Sequence, residues 1–432
     1  MNDLLNTLLQ KLDAPAGRYA ELDKYYAGEQ SLAFLAPEAR AALGTRFGRM
    51  CSNIPRLAVT ALAERLRIIG FHRDGAPDPQ LWQDWIRNDL DQLGAVAHRE
   101  ALTLGTSYVV VWANAAGAPQ VTVESARQVA VVRDPGTRRI VAALKRWETA
   151  KATEAVVYEA DRITRLRANM AGAATFGQFE TLEVLDNPLG VPPVVELQNS
   201  DRLLDNGVSE MADLIPLVDA LNKLLADMMV ASEYFARPRR WASGLELAED
   251  DDGNAVNPIA EDHRMMVNED PAGKFGQLPP ADLAAYEASV RVLLGQIMAV
   301  SGLPAHYIGA LASAPTSADS MRAAEASLAA RAAARQSQFG RGWEDVARLV
   351  VAVRTGLDPL AVDVRIKWAD TSTRSVAQEA DAAVKLFAAG LLPASITLDR
   401  LGYSEDEIRA IRQARRAEAL DMAGTDLKGL LA

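Results

Sequence analysis

"SGLPAHYIGALASAPTSADSMRAAEASL", residues 301–328, runs from a loop almost without formal charge into an Ala-rich helix. Gly, Pro, Ala and Ser have little side chain to bury, so such a loop is composed for shape or motion. Beyond it, Met321, Leu328, Ala332, Phe339, Trp343, Val346, Val350 and Val353 recur at three- and four-residue steps. That period predicts one helix over about 317–355. At 1.5 Å per residue, about 40 residues would span roughly 60 Å, more than a domain core needs. Gly340 and Gly342 lie near its middle and predict a kink.

Upstream of the loop, residues 281–300 predict a helix whose only ionisable acids and bases are Asp282, Glu287 and Arg291, besides Tyr286. An earlier apolar helix carries Leu214, Leu217, Leu221, Leu224 or Leu225, and Met228 at helical spacing, with Asp213 as a cap and Pro216 in the first turn. Between the two helices lies a turn-rich insert: 241–247, an acidic turn at 249–253, then 263–267, ending at Pro279-Pro280. Residues 292–318 hold no Asp, Glu, Lys or Arg, which suggests a membrane span by length alone. Gly302, Pro304 and Pro315 break that stretch and Gln296, Ser301 and Thr316 dilute it, so no span is assigned.

The first hundred residues read as helices. Leu4, Leu5, Leu8, Leu9 and Leu12 share one face, and the acidic start has no basic segment of the kind a signal peptide needs. "YYAG" at 25–28 closes a second helix. Residues 51–67 predict a third, with Asn53 as N-cap and Pro55 in its first turn. "DPQLWQDWIRNDLDQLGAVAHREALTLG" predicts one long amphipathic helix stopped by Gly105. From Thr106 the period shortens to β-rich runs separated by turn signals at 116–117, 125–126 and 134–136, and by 159–161. A mostly antiparallel sheet over 106–186 follows, with "NPLGVPPVVELQN" as a crossing segment. A strand at 362–368 and helices with turns at Gly390 and Gly402 complete the chain.

The 432 residues suffice for two or three domains, and 49% hydrophobic with 24% charged residues is a globular composition. A net charge of -11 opposes tight binding to nucleic acid, which rests on Lys and Arg neutralising phosphates. Cys51 is the one cysteine, so no intrachain disulfide forms, and a reducing compartment is the simple reading. His72, His98, His263 and His306 have no metal-ligand spacing. The signatures of nucleotide-binding, zinc-protease and serine-hydrolase sites are missing. Cys51 with His72 or His98 is the one nucleophile and base pair to be weighed, against a simply packed thiol. The acidic run is a hairpin tip in solvent or, less fittingly, a cation loop, since Gly253 is out of register for one. Arg237, Arg239 and Arg240, and Arg412, Arg415 and Arg416, are either contacts to nucleic acid or solvated faces and subunit salt bridges. Trp82 and Trp85 are core anchors.

The order of parts says more than any motif. "YYAGEQ", "NIPRLAVTALAERLRIIGF", "LTLGTSYVVVW", "NPLGVPPVVELQN", "DLIPLVDALNKLLADM" and "SGLPAHYIG" stand in the order of corresponding elements in one family. The chain resembles the portal proteins of tailed double-stranded DNA bacteriophages, in the siphophage-type branch, over nearly its whole length. The resemblance implies an α+β portal-type fold and a homo-oligomeric ring, a dodecamer, at the capsid vertex of the virion. It implies a wing over 1–205 with the strand at 362–368, stem helices over 206–237 and 281–301, and a clip over 238–280. A tunnel loop over 302–318, a spine helix within 319–371 and a crown over 372–432 complete it.

The implied channel residues are Gly302, Pro304, His306, Tyr307, Gly309, Ser313, Pro315, Thr316 and Ser317. The implied docking residues of the clip are Arg239, Arg240, Trp241, Glu249, Asp250, Asp251 and Asp252. Implied partners are double-stranded DNA held weakly and without sequence preference, a terminase motor, a head-tail connector, and the major capsid and scaffolding proteins. Assembly would take place in the bacterial host cytoplasm. No cofactor, metal or membrane is implied, and the motor chemistry belongs to a partner. The competing readings are a non-viral self-associating scaffold and a cytosolic hydrolase using Cys51.

Overall fold

The computed structural model describes residues 2–32, 51–204, 207–236, 240–243, 248–249, 255–256, 272–277, 283–309, 317–371 and 376–430. The chain divides into two compact units: residues 1–30, 53–215 and 297–432, and residues 31–52 and 216–296.

In the first unit, α1 (Asn2–Asp13) is the amphipathic helix expected. Its Leu5, Leu8, Leu9 and Leu12 are buried against Leu144, Ala155, Val157, Leu166 and Phe179. Those partners belong mostly to a five-stranded antiparallel meander: β5 (Val129–Arg133), β6 (Ile140–Glu148), β7 (Thr153–Glu159), β8 (Arg162–Ala168) and β9 (Glu180–Asp186). A single helix face on a single sheet face closes this small core. Helix α2 (Ala16–Ala27) stops at Gly28, and α3 (Ile54–Ala63) starts after Asn53 with Pro55 in its first turn.

Two expectations change here. The long helix predicted after Asp78 is two helices, α4 (Pro79–Arg87) and α5 (Leu90–Leu104). Asp89 breaks them at φ 54°, and Asn88 explains the break. Its amide donates to Asp84 O at 2.8 Å and its Oδ1 accepts from Val121 N at 2.9 Å, so a side chain competes with the helix for its own backbone. The sheet expected over 106–186 is also two sheets. β3 (Thr106–Ala113) lies between β4 (Pro119–Ser125) and β10 (Val194–Gln198), apart from the meander. The segment expected only to cross thus contributes β10, whose Val194 pairs with Val110 across an antiparallel ladder.

A third sheet joins distant parts of the chain: β1 (Ile68–Arg73) pairs with β2 (Ala76–Pro77) and with β15 (Val364–Trp368). Between these sheets runs α8 (Ala318–Thr355), 38 residues long. Ser317 caps it through a reciprocal exchange with Ser320, and Gly356 ends it in the left-handed conformation. Leu328, Ala332, Phe339, Trp343, Val346 and Val350 are buried as the period predicted, whereas Met321 is 47% exposed and Val353 half-buried. The helix is unbroken through Gly340 and Gly342, and each glycine marks a close approach. A Cβ on Gly342 would lie 2.5 Å from Leu197 Cδ2 of β10, and one on Gly340 would lie 3.1 Å from Trp368 Nε1 of β15. Trp85, Trp343, His98 and Phe339 form an aromatic cluster, with Trp85 and Trp343 centroids 4.9 Å apart. Trp82 stacks on Trp85 at 6.3 Å, so both serve as anchors. Helices α9 (Val376–Ala388), α10 (Ala394–Arg400) and α11 (Glu405–Leu430) finish the unit, with turns at Gly390 and Gly402.

The second unit contains most of α6 (Ile215–Ala236) and of α7 (Leu283–Ser301). Its described strands are β11 (Arg240–Ser243) paired with β14 (Lys274–Gln277), and β12 (Ala248–Glu249) paired with β13 (Ala255–Val256). Of the acidic run only Glu249, on β12, is among the described residues. The third run of the insert, 263–267, lies outside the described residues.

Candidate functional site

The uncharged loop emerges from a tightly fastened root. At the end of α7, Ser301 Oγ donates to Ile297 O at 2.7 Å and accepts from Leu303 N at 3.1 Å. Gly302 then turns the chain at φ 69°, and a Cβ there would lie 3.0 Å from Ser327 Oγ of α8. Arg331, one turn further along α8, donates to Ser301 O. Leu303 and Pro304 are buried, and 305–307 form a short 3-10 turn that presents His306 and Tyr307.

Those two rings meet a charged pair. Arg65, just beyond α3, donates to Glu325 Oε2 at 3.0 Å and to the Tyr307 hydroxyl at 3.4 Å. His306 Nε2 lies 3.6 Å from the other Glu325 oxygen. The Arg65 and Glu325 side chains are 12% and 11% exposed, so the pair is largely withdrawn from water. Such a pair fixes geometry, because losing either member strands a buried charge. Ser317, exposed, caps the far end where α8 begins. Gly309 is exposed, whereas Ser313, Pro315 and Thr316 lie outside the described residues. Among the described residues the predicted set therefore comprises a root, Gly302 to Tyr307, the exposed Gly309 beyond it, and a cap, Ser317.

Further along, α8 fastens other segments through its polar side chains. Arg335 Nε donates to Glu210 Oε1 at 2.7 Å and Arg335 Nη2 to Asp201 Oδ2 at 3.0 Å, while Gln338 Nε2 donates to Ser200 O at 2.9 Å. Gln336 Nε2 bonds both Arg65 O and Ala369 O at 3.0 Å. Bonding to Arg335 and Gln338 holds the Asp201 carboxyl below its ordinary range, although burial works the other way. Sequence reasoning passed over Glu325, Arg335 and Gln336. The available signal was their position: Glu325 falls between Met321 and Leu328 on the stripe that otherwise carries apolar residues.

Of the residues expected to form the clip, Arg240 and Trp241 stand on β11, opposite Gln277 and Gly276, and Glu249 stands on β12 opposite Ala255. Arg239, Asp250, Asp251 and Asp252 lie outside the described residues, as do Arg237 and His263. Cys51 is half-buried, with the Asn222 amide 3.9 Å from its sulfur, and Asn222 Oδ1 accepts from Ser52 N at 2.8 Å. His98 Nε2 accepts from Trp343 Nε1 at 2.7 Å, and burial lowers its pKa to about 3. A base held neutral that far down, with Nε2 already occupied, is poorly suited to activate a thiol. Burial and the Lys367 charge also lower His72. Among the described residues no three of His, Cys, Asp and Glu gather where they could hold a metal ion. No described helix is long and apolar enough to cross a membrane.

Fasteners along one long helix, with a loop held at its root, define a structural subunit built to present segments in fixed places. The family profile described as "Phage portal protein, SPP1 Gp6-like" matches residues 5–420. A portal protein of Mycobacterium phage D29 is 31% identical over 393 residues, covering 86% of this chain and 80% of that protein. The portal protein of Mycobacterium phage L5 is 30% identical over the same coverage. A chain from "Neck of empty GTA particle computed with C6 symmetry" shares the fold, with a TM-score of 0.51 at 16% identity, over 87% of this chain and 96% of that one. The chain belongs to the SPP1 Gp6-like phage portal family. Its fold is the α+β portal type, and its place is the portal ring at the capsid vertex of the virion. This family is structural rather than enzymatic, and membership displaces the reading of a non-viral scaffold.

Proposed function

We propose that copies of this chain close into a dodecamer around double-stranded DNA, and that residues 302–318 reach the DNA as a tunnel loop. The observation carrying this reading is the anchored root beside an uncharged loop: Arg65, Glu325 and Arg331 hold 301–307, while residues 302–318 contain no Lys, Arg, Asp or Glu. A loop without cations touches a polyanion without gripping it, and a fixed root transmits force to α8. The net charge of -11 supports the same weak, sequence-independent contact. The sixfold symmetry applied to the neck of similar fold accords with a ring.

The remaining parts take the roles their order suggests. Residues 206–237 and 281–301 are the stem, and 238–280 the clip, which docks the terminase motor and then the head-tail connector. Residues 1–205 with the strand at 362–368 are the wing, and 372–432 the crown. Major capsid and scaffolding proteins surround the ring, which assembles in the host cytoplasm before it is sealed into the virion.

Deleting Ala310–Ala314 tests the loop. Rings of normal mass by light scattering and negative-stain microscopy are expected, with DNA packaging or retention reduced. Normal packaging and retention by that variant would end the assignment.

A further inference from the structure

The meander carries two unlike flanks. β9 is its terminal strand, and all seven residues are exposed. Leu182, Val184 and Leu185 are 54%, 56% and 37% exposed. Val184 pairs with Thr164 and Leu185 with Ile163, so these two stand on opposite faces of the sheet, while a bulge at the Arg165–Leu166 step leaves Leu182 out of the ladder. A layer packed on one face would cover only one of them; an element set laterally against the edge covers both. The acids of this edge are Glu180, Glu183 and Asp186. Glu183 pairs with Arg165, and the other two make no ion pair among the described residues.

The opposite flank ends in the turn between β5 and β6. Asp134 there is used internally, accepting from Thr137 N at 2.6 Å, and those bonds hold its carboxyl low. Arg138, at φ 60°, and Arg139 are exposed and make no ion pair among the described residues. Val141, at the start of β6, is 44% exposed. Four strand spacings separate the flanks by about 19 Å. Strand β9 itself is acidic and aliphatic, with Arg162 and Arg167 of β8 as the register partners of Asp186 and Glu180, while the other flank is basic with an aliphatic residue beside it. A closed ring requires such a pair of different, complementary surfaces on every copy.

We propose that β9 of one copy docks the β5–β6 turn of the next, with the Arg138 and Arg139 side chains spreading along the strand toward Glu180 and Asp186 at its two ends, and Leu182, Val184 and Leu185 covered by Val141 and its surroundings. This rests on the ring reading above and assigns one of its interfaces.

The test uses four full-length proteins: wild type, Glu180→Arg with Asp186→Arg, Arg138→Glu with Arg139→Glu, and the combination of all four. Light scattering and negative-stain microscopy read the ring fraction, and circular dichroism with thermal melts confirms that each variant folds. Each reversal alone is expected to lower the ring fraction about tenfold, and the combination to restore it. Unchanged rings in either reversal, or no recovery in the combination, overturn the docking while leaving the ring intact. A wild type that remains a monomer overturns both. Should the reversals fail to fold, Val184→Cys with Arg139→Cys in a Cys51→Ser background replaces them. Oxidation should then give a ladder of linked copies, and linkage no greater than in the single variants counts against the docking.

Discussion

Arg65 and Glu325 are each about a tenth exposed, so neither charge is well served by water once its partner is gone. Glu325→Ala should therefore cost about 2–3 kcal/mol, below the range for a fully buried pair. Replacing both, with Arg65→Met and Glu325→Leu, should return most of that loss; urea midpoints of the three proteins decide. His98 makes a pH argument. Burial lowers its folded pKa to about 3, so the folded state binds fewer protons than the unfolded one below the ordinary histidine range. This contribution is whole above pH 6.5 and is lost as pH falls toward 3, with a slope of up to about 1.4 kcal/mol per unit. His98→Gln still offers an acceptor to Trp343 and should flatten the stability curve between pH 6 and 4. An unchanged slope would mean that His98 charges without unfolding.

Elements show what the sequence discloses and where it stops. The stop at Gly105 and the leucine face of α1 were readable because each rests on a residue type with a local job. Long-range competition was not readable: nothing local says that Asn88 would bond Val121 and split a helix, or that 194–198 would pair with β3. The same limit hid the close approach at Gly340 and Gly342. In an exposed helix Gly→Ala stabilises by about 1 kcal/mol. At Gly342 the sign should reverse, costing about 1–3 kcal/mol, because the new methyl meets the buried Leu197. Gly105 is more demanding still. Its φ is 97°, and a Cβ would lie 2.7 Å from the Gly207 carbonyl carbon. Thermal melts of Gly342→Ala and Gly105→Ala should both shift down, the latter further. In the site, the loop's lack of charge was legible, whereas its fastening was not, since Arg65 and Glu325 are 260 residues apart.

For the molecule as a whole, the family places this chain at a capsid vertex, while the geometry says how one copy is braced. The sheet of β1 and β15 has a consequence for synthesis. Arg73 and Val364 are register partners, yet roughly 290 residues separate them. At about 5–20 residues per second, a ribosome takes roughly 15–60 seconds to cover that distance. Through this interval β1 waits with its β15 edge unmatched, and α8, which buries the faces around it, is made only at the interval's end. β1 is therefore matched along this edge only once residues 364–368 have been made. A nascent chain arrested before Val364 should expose that edge to protease or to a chaperone, and one arrested well after Trp368 should not.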